Sequence, residues 1–474
     1  MRAPAEAAWA GLLTGLLFAR AAGAEPAVDW SAAAREASEL LAGAIRIDTT
    51  NPPGNELPAA RHVAEFLAAH GSAAEVIESA PGRGNVIARL PATVPDGSGS
   101  ILLLSHLDVV PADPSEWRVP PFGGEIRDGA VWGRGSLDDK GQGAVFATAL
   151  ALIARDGAPR RRDLVFCASA DEEVSGGPGV GFLIEHHWPA LGPPAVVWNE
   201  GGASAPLEAL GGVIANGIAT TEKRALWITL VATGEGGHGS QPVRGAANDR
   251  LVRALARVTA WQTPLRLTPT VREQFTRLGA QLGFPWNAGL LGLRLPLGLS
   301  IAGGFLTEDR LTNALVRDTI ALTGLRSGLK HNVIPGHAEA TLDVRLLPDT
   351  DAAGFLRELE AVIGDPAVRV VLPDAGIPAP SPESPTANEL FEAIAAEMER
   401  EIPGSVTVPV LTTGGTDSQP FRRRGVPAYG YLPALMTAEL NRSVHGADEH
   451  FPLRELERAV RVTTRVLQSL VASR

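Results

Sequence analysis

The side chains best suited to chemistry in this sequence are acidic and imidazole groups at or near the ends of apolar runs. They are His106, Asp138, Glu172, Glu173, Glu200 and His445. Two histidines and several carboxylates, with no cysteine among them, suit a pair of zinc ions about 3.5 Å apart that one carboxylate bridges. A hydrolytic site of this kind also needs an unligated carboxylate that takes a proton from water. Glu172 and Glu173 could divide the roles of ligand and base, so the pattern predicts a hydrolase.

Taken singly, each of these signals is weak. Asp138 lies in GRGSLDDKG, and paired aspartates in a turn usually cap a helix. Glu200 could be an ordinary loop acid, and a single histidine such as His445 is more often structural. The combination of all six residues favours a metal site over these separate structural explanations.

His106 ends an apolar run in residues 101–111 (ILLLSHLDVVP) that is typical of a buried strand. Asp108 follows two residues later, so both side chains leave the same face of that strand. A metal-bound imidazole nearly always donates its second ring nitrogen to a carboxylate or a carbonyl. The spacing therefore predicts that Asp108 orients His106.

The composition excludes several classes of protein. The 474 residues include 53 acidic and 42 basic side chains without a Lys/Arg cluster, so the surface should repel nucleic acid. The length suggests roughly three units of average size, or two larger domains. Cys167 is the only cysteine, which excludes a disulfide framework and a thiolate metal site.

The N-terminus is typical of a secretory signal. A positive start at Arg2, an apolar stretch over residues 7–18 and small residues up to Ala24 predict cleavage near Ala24 and export to the periplasm or the exterior. The alternative is a frayed amphipathic helix. The apolar stretch is too short to span a bilayer as an ordinary helix.

A longer apolar stretch begins at Trp286, but Arg294, Pro296 and several glycines interrupt it. Such a segment is better suited to packing or to lining a pocket than to crossing a membrane. We therefore expect no transmembrane segment in the mature chain.

Strand-like apolar runs alternate with helical stretches in the first part of the chain. The runs at residues 101–104, 163–168 and 195–198 are separated by a helical stretch over residues 143–155. This alternation predicts an α/β fold whose mostly parallel sheet is covered by helices on both faces. Because ligands bind at the carboxyl ends of such strands, the residues that follow these runs should share one site.

The organisation changes near Thr221. The alternating segment TEKRALWITLVATG and the later strands and helices predict a smaller α+β domain with an antiparallel sheet. Residues 375–386 are rich in Pro and Ser, as linkers are. We predict a signal peptide over residues 1–24, a catalytic domain in two parts over residues 25–221 and 375–474, and an inserted lid or dimerisation domain over residues 222–374.

The order of SHLDVVP, GRGSLDDKG, ADEE, NEGG, GGHGSQP, NVIP and a late histidine resembles the two-zinc aminoacylase and carboxypeptidase family. That family includes acetylornithine deacetylase, succinyl-diaminopimelate desuccinylase and glutamate carboxypeptidase. The resemblance extends over nearly the whole mature chain. Within the family, the segment TNALVRDTIALTGLRSGLKHNVIP is most similar to carboxypeptidase S and the secreted N-fatty-acyl amino acid hydrolases.

The resemblance implies a role for each candidate ligand. Asp138 would bridge two Zn2+ ions, for which Co2+ or Mn2+ could substitute. One ion would be completed by His106 and Glu200, and the other by Glu173 and His445. The resemblance further implies that Glu172 is the general base and that a cis peptide bond joins Asp138 to Asp139.

The resemblance also assigns substrate contacts, several of them in the inserted domain. His238 would stabilise the tetrahedral oxyanion, in several members by reaching across a dimer interface, which implies a homodimer formed through that domain. Asn332 and Arg345 would hold a substrate carboxylate, a task that suits the bidentate geometry of arginine. The backbone of Gly414, Gly415 and Thr416 would complete this grip.

The implied substrate is a small molecule, namely an N-acyl amino acid or a short peptide with a free carboxylate. Residues 282–305, apolar and glycine-rich, could line an acyl pocket, although they could also be core or a dimer face. A two-zinc aminopeptidase or dipeptidase is one alternative, but Arg345 and Asn332 favour a carboxylate over a free amine. The other is a non-catalytic binding protein on the same fold, against which the intact ligand set and Glu172 argue.

Overall fold

The computed structural model describes residues 28–295, 297–374 and 376–472. The predicted signal peptide lies outside these residues. The first part of the chain contains α1 (Trp30–Ile45), α2 (Leu57–Ala69), β1 (Ala74–Ala80), β2 (Arg83–Leu90), β3 (Ser100–His106), β4 (Glu125–Arg127), β5 (Ala130–Trp132), α3 (Lys140–Asp156), β6 (Leu164–Ser169), α4 (Phe182–His186), β7 (Pro194–Leu207) and β8 (Val213–Glu222).

The middle and the last part of the chain follow. The middle contains β9 (Arg224–Thr233), β10 (Gly237–His238), α5 (Ala247–Ala260), α6 (Pro269–Gln281), α7 (Trp286–Gly292), α8 (Gly298–Glu308), α9 (Arg310–Leu315), β11 (Thr319–Ser327), β12 (Val333–Ile334), β13 (His337–Leu346), α10 (Ala352–Ile363) and β14 (Val368–Val371). The last part contains α11 (Glu389–Glu401), β15 (Val406–Thr412), α12 (Ser418–Arg423), β16 (Ala428–Leu435), α13 (Ala438–Ser443), β17 (His450–Pro452) and α14 (Leu453–Val471).

The larger of the two main sheets has eight strands in the order β1-β2-β6-β3-β7-β16-β8-β15. Its four central strands, β6, β3, β7 and β16, run parallel to their neighbours within that group. Strand β3 is buried along its whole length because helices cover both faces of the sheet. Ile101 and Leu103 pack into one core with α1, α3 and α14, whereas Leu102 and Leu104 pack into a second core that includes Phe421 of α12. The predicted α/β fold is confirmed.

A smaller antiparallel sheet has the strand order β11-β13-β9-β14. Alternate residues of β9 and β13, such as Leu230 and Leu342, pack against α5 and α10 in a core of their own. The opposite face carries Trp227, whose side chain is exposed, together with Asp343 and Arg345. This arrangement confirms the predicted smaller α+β unit, and its period-2 burial follows from having helices on one face only.

Helices α6–α9 were not predicted individually, and α6 packs against the larger sheet. Leu278 of α6 contacts a core formed with Ala215 of β8 and Val408 of β15. Part of the segment between residues 222 and 374 thus belongs physically to the edge of the larger sheet. The four domain boundaries given above stay a prediction.

Within the described residues, we find no helix that combines the length and the apolarity needed to cross a bilayer.

Candidate metal centre

The candidate ligands converge at the carboxyl ends of the central parallel strands. His106 is the last residue of β3, and Glu173 follows the end of β6. Glu200 comes directly after the buried run of β7. Asp138 lies in the turn before α3, and His445 follows α13. Elements that are far apart in sequence therefore bring five side chains to one edge of the sheet, as the alternation of strands and helices predicts.

These five side chains form two groups that share Asp138. In the first group, Nε2 of His106 lies 3.1 Å from Oδ1 of Asp138 and 3.9 Å from Oε1 of Glu200. In the second, Nε2 of His445 lies 3.0 Å from Oδ2 of Asp138 and 3.3 Å from Oε1 of Glu173. The two carboxylate oxygens of Asp138 thus face one histidine each, which is the arrangement that a bridging ligand requires.

The donor set fits divalent metal ions. The ligand atoms of each group all lie within 4.8 Å of one another. Ligands at about 2.0–2.1 Å from a tetrahedral zinc ion would lie roughly 3.3 Å apart, which is similar to the contacts within both groups. Oε1 of Glu173 is buried and accepts no hydrogen bond from any residue that the structure describes. Buried polar atoms are normally satisfied, so this oxygen is available as a metal ligand.

The electrostatics of the cluster also favour a cation. Burial raises the pKa of Glu200 well above its usual value, and the neighbouring carboxylate of Asp138 raises that pKa further. A hydrogen bond with Asp138 and the neighbouring carboxylate of Glu173 raise the pKa of His445 to about 10. Burial also acts to raise the pKa of Asp138, but hydrogen bonds with His106 and His445 bring it below its usual value. Acidic groups crowded in this way are stabilised in their charged form by a divalent cation.

Asp108 supports the site through more contacts than the sequence predicts. Nδ1 of His106 lies 3.0 Å from the main-chain carbonyl oxygen of Asp108 and 3.4 Å from its carboxylate, so the carbonyl is the better acceptor. The carboxylate accepts the main-chain N–H groups of Glu172 and Glu173, both at 3.1 Å. It also accepts the side-chain amide of Asn51 at 2.8 Å. Asp108 therefore fixes the backbone of both glutamates as well as the ring of His106.

Glu172 belongs to neither ligand group. Burial raises the pKa of its carboxyl group well above the usual value, and the nearby carboxylates of Asp417 and Glu173 add to that effect. A carboxyl group with a raised pKa is suited to accepting and returning a proton near neutral pH. The peptide bond between Asp138 and Asp139 is cis, as the resemblance implies.

The structure does not bring His238 to the metal ligands. His238 is exposed on β10, where its Nδ1 lies 2.7 Å from Oγ of Ser240. The N–H of Gly239 donates to the carbonyl of Asn332 at 2.9 Å, so Asn332 lies beside His238. In the part of the chain that the structure describes, no hydrogen bond or ion pair connects His238 to either ligand group.

Arg345 lies on the open face of the smaller sheet. Its Nε and Nη2 donate to the two carboxylate oxygens of Asp343 at 2.8 and 3.1 Å. This pairing holds the guanidinium group along β13 and leaves Nη1 as its remaining donor nitrogen. The sequence predicts Arg345 as an anion-binding group but gives no sign that Asp343 already neutralises part of its charge.

The TTGGTDS loop after β15 is anchored by Glu222 at the end of β8. The N–H of Thr416 donates to Oε2 of Glu222 at 2.7 Å, and its hydroxyl donates to Oε1 at 2.9 Å. The backbone donor of Thr416 is therefore already engaged. Gly414 and Gly415 lie in the same loop, and a Cβ added to Gly414 would meet no atom within 4 Å, which leaves room for a ligand beside that residue.

Sequence reasoning missed two buried acids beside the site. Glu222 is buried and also pairs with Arg422. Asp417 accepts a hydrogen bond from the hydroxyl of Ser169 at 2.8 Å, and burial raises its pKa to about 7. Neither acid follows an apolar run of the kind that identified the other candidates. The sequence shows only that Asp417 lies in the TTGGTDS loop, directly after the predicted contact residue Thr416.

The apolar stretch over residues 282–305 forms α7 and most of α8 at the molecular surface. Phe284 is 85% exposed and Ile301 is 82% exposed. Leu295 and Leu297, in the turn between the helices, are also largely exposed. In this arrangement these side chains face solvent and do not line an enclosed acyl pocket.

Residues 102–469 match the family model described as peptidase family M20/M25/M40. The chain is 31% identical to N-fatty-acyl-amino acid synthase/hydrolase PM20D1 of Xenopus tropicalis over 377 residues, covering 78% of this chain and 72% of that protein. It is 29% identical to a Dictyostelium discoideum protein named "Probable carboxypeptidase S-like 2" over 373 residues, covering 76% of this chain and 69% of that protein.

A solved structure supports the same fold. The M20 family metallo-carboxypeptidase Sso-CP2 from Sulfolobus solfataricus superposes with a TM-score of 0.67, covering 91% of this chain and 98% of that one. The two sequences are 20% identical, so this likeness concerns the arrangement of helices and strands.

Proposed function

The chain belongs to the peptidase family M20/M25/M40 and is a metallohydrolase, and we propose that its substrates are N-acyl amino acids or small peptides with a free carboxylate. The observation that carries this proposal is the pair of ligand groups sharing Asp138, with the unligated Glu172 held beside them by Asp108. The names of two relatives, an N-fatty-acyl-amino acid synthase/hydrolase and a carboxypeptidase S-like protein, support this substrate class.

We infer two metal ions per chain, with zinc as the native metal and cobalt or manganese as substitutes. The first ion would be held by His106, Asp138 and Glu200, and the second by Asp138, Glu173 and His445, because these are the two groups whose donor atoms lie together. When bound, such ions act as Lewis acids and lower the pKa of water.

Glu172 performs the proton transfers in this proposal. Its carboxylate takes a proton from the attacking water as the water oxygen bonds to the amide carbon, and it returns that proton to the amine when the C–N bond breaks. Asp108 keeps Glu172 in position through the main-chain N–H group of Glu172. The raised pKa of Glu172 suits a group that must hold the proton between the two steps.

Binding of the substrate carboxylate falls to the inserted unit and the TTGGTDS loop. Arg345 offers a guanidinium group and Asn332 an amide, while Gly414 and Gly415 offer backbone groups, with open space beside Gly414. In this arrangement the exposed ring of His238 contacts Ser240. His238 can therefore stabilise the oxyanion only if the inserted unit moves or if the residue reaches the site of a partner subunit. We infer that residues 222–374 act as a lid or dimerisation domain that supplies these groups, between catalytic segments over residues 25–221 and 375–474.

We also propose that the protein is exported and that a signal peptide is removed near Ala24. The support is the sequence itself: a positive start, a short apolar stretch and small residues before Glu25.

Replacement of Glu172 by Gln tests the reaction. We expect Glu172→Gln to keep both metal ions and to lose about 10²- to 10⁴-fold in kcat, because an amide cannot accept the proton. Turnover would be measured on matched N-acyl amino acids and dipeptides, with metal content determined on the same samples. Glu185→Gln, at an exposed acid of α4, is the matched control and should behave like the wild type.

The same assay separates the proposed substrates from their alternatives. Hydrolysis should fall sharply when the free carboxylate of the substrate is converted to an amide or a methyl ester. Full activity of Glu172→Gln would contradict the role of that residue. A wild-type protein that binds two ions but cleaves none of these substrates would contradict the proposed substrate class.

A further inference from the structure

Glu449 is a fully buried carboxylate at the back of the turn that carries Asp138. It accepts hydrogen bonds from the main-chain N–H groups of Leu137 at 2.7 Å, Asp138 at 3.1 Å and Gly135 at 3.1 Å. Nη1 of Arg134 donates to it at 2.7 Å. Four donors from a single turn therefore point at one acceptor group.

Hydrogen bonds to an ionised acceptor are roughly twice as strong as neutral ones. The three backbone donors fix the main chain from Gly135 to Asp138, so the position of the Asp138 carboxylate depends on a side chain far away in sequence. Each carboxylate oxygen accepts two of the four donors. An amide in place of the carboxylate would therefore turn its own NH2 group toward two donors and leave both of them unsatisfied.

Arg134 carries the constraint onward to the segment of His445. Its Nη2 donates to the carbonyl of Gly446 at 2.8 Å, and the N–H of Gly133 donates to the carbonyl of Glu449 at 2.9 Å. His445 itself has φ of 59°, in the left-handed region that non-glycine residues occupy only when their surroundings enforce it. The buried ion pair thus joins the two segments that supply Asp138 and His445.

We propose that Glu449 and Arg134 are positioning residues that set the geometry of the second ligand group, formed by Asp138, Glu173 and His445, for a metal ion. This inference rests on the proposed function. His106 and Glu200 stand on β3 and β7, and the parallel pairing of these strands with β6 and β16 holds them in place. The second ligand group has no comparable strand support, because Asp138 and His445 both lie in loops.

Glu449→Gln tests this inference by metal binding, independently of activity. Metal-free protein would be titrated with Co2+ and followed by visible absorption, with the number of bound ions counted by elemental analysis. We expect the wild type to bind two ions. We expect Glu449→Gln to bind the ion of the second ligand group about 10- to 100-fold more weakly, as is typical when a residue supporting a ligand is lost. Its affinity for the other ion should fall less, because that ion shares Asp138 but is also held by His106 and Glu200 on β3 and β7.

Glu455→Gln is the matched control, because Glu455 is another buried carboxylate that accepts a backbone N–H, that of Leu435 at 2.8 Å, and pairs with an arginine, Arg458. It should lower the melting temperature to a similar extent while leaving both metal affinities unchanged. Arg134→Lys is the second variant. A lysine side chain has one nitrogen, so it cannot donate to Glu449 and to the carbonyl of Gly446 with the geometry that Arg134 has. Arg134→Lys should therefore weaken binding of the same ion.

The outcomes separate the two levels of inference. Unchanged affinity for both ions in Glu449→Gln, or equal weakening in Glu455→Gln, would overturn the positioning role. If Glu449→Gln does not fold, unchanged binding by Arg134→Lys would overturn it instead. A wild-type protein that binds no metal would contradict the proposed function itself.

Discussion

At the scale of single residues, Lys223 is a buried cation at the point where the chain passes from β8 to β9. Its Nζ donates to the carbonyl oxygens of Ala314 and Arg317, at 3.0 and 2.9 Å, and to the hydroxyl of Thr319 at 3.0 Å. Burial lowers the pKa of Lys223 to about 8. The ammonium group therefore ties β9 to the end of α9 and the start of β11, but at a cost in desolvation.

The lowered pKa of Lys223 predicts a pH dependence of stability. An unfolded lysine titrates near pH 10.4, so between about pH 8 and 10 the unfolded chain binds more protons and the free energy of unfolding rises with pH. From pH 7 to pH 10, the free energy of unfolding of the wild type should rise by up to about 3 kcal/mol more than that of Lys223→Met. Urea denaturation at both pH values would measure this difference. Lys330→Met, at an exposed lysine, should leave the pH dependence as in the wild type. An equal difference between wild type and Lys223→Met at both pH values would contradict the prediction.

A site residue could be predicted from the sequence only when its role follows from its local position in an element. His106 and Glu200 could be predicted because each closes an apolar run that becomes a central strand. Glu449 could not, since its importance arises from contacts with residues more than 300 positions earlier. The double use of the Asp108 carboxylate was hidden for the same reason, because it depends on the turn after β6 folding back onto β3.

At the scale of secondary-structure elements, the close approach of β16 to β7 sets the position of Glu200. Gly430 of β16 pairs with Asn199 of β7. A Cβ on Gly430 would lie 1.9 Å from the main-chain oxygen of Glu200, so only glycine fits there. Because Gly430 has no side chain, β16 can lie close enough to β7 for Glu200 to keep its position as a candidate ligand.

Gly430→Ala should therefore damage both stability and metal binding. We expect a loss of about 1–3 kcal/mol in the free energy of unfolding, typical of overpacking, together with weaker binding of the ion held by His106, Asp138 and Glu200. Thermal denaturation and metal titration would measure the two effects. Gly289→Ala in α7, where an added Cβ meets no atom within 4 Å, should be neutral or stabilising by up to about 1 kcal/mol. Unchanged metal affinity in Gly430→Ala would show that Glu200 tolerates displacement.

The elements themselves were predictable to different extents. The fully apolar β3 and the alternating β9 and β13 follow directly from hydrophobic periodicity. Helices α7 and α8 did not, because glycines are scattered through them and their apolar residues form no amphipathic pattern. Packing of α6 against β15 decides where this segment lies, and no local signal in α6 reports it.

At the scale of the whole molecule, folding concentrates buried acidic groups at one place. Glu172, Glu200 and Asp139 all have pKa values raised well above the usual range, primarily by burial. The fold is therefore strained electrostatically wherever these groups ionise without a compensating cation. Metal ions that bind the folded chain preferentially should relieve that strain and stabilise the entire protein.

Removal of the metal ions should lower the melting temperature of the protein. Added Zn2+ should raise it again, to an extent that depends on the free Zn2+ concentration. Each tenfold increase in free Zn2+ above the dissociation constant should add about 1.4 kcal/mol per site to the free energy of unfolding. Differential scanning calorimetry of chelated protein across a zinc series would measure this. Asp138→Asn, which alters the ligand shared by both groups, should respond much less. A melting temperature of the wild type that is independent of zinc would contradict the binding of two zinc ions by the folded chain.

The ligands of the candidate metal centre are spread from His106 to His445 along the chain. On the ribosome, the first group can be complete once β7 and Glu200 have emerged, whereas the second must await His445, which follows much later in the chain. Synthesis of the inserted unit falls between these two events. Loading of the second metal ion must therefore wait until the inserted unit and α13 have been made, and a nascent chain stalled before His445 would contain a half-built centre.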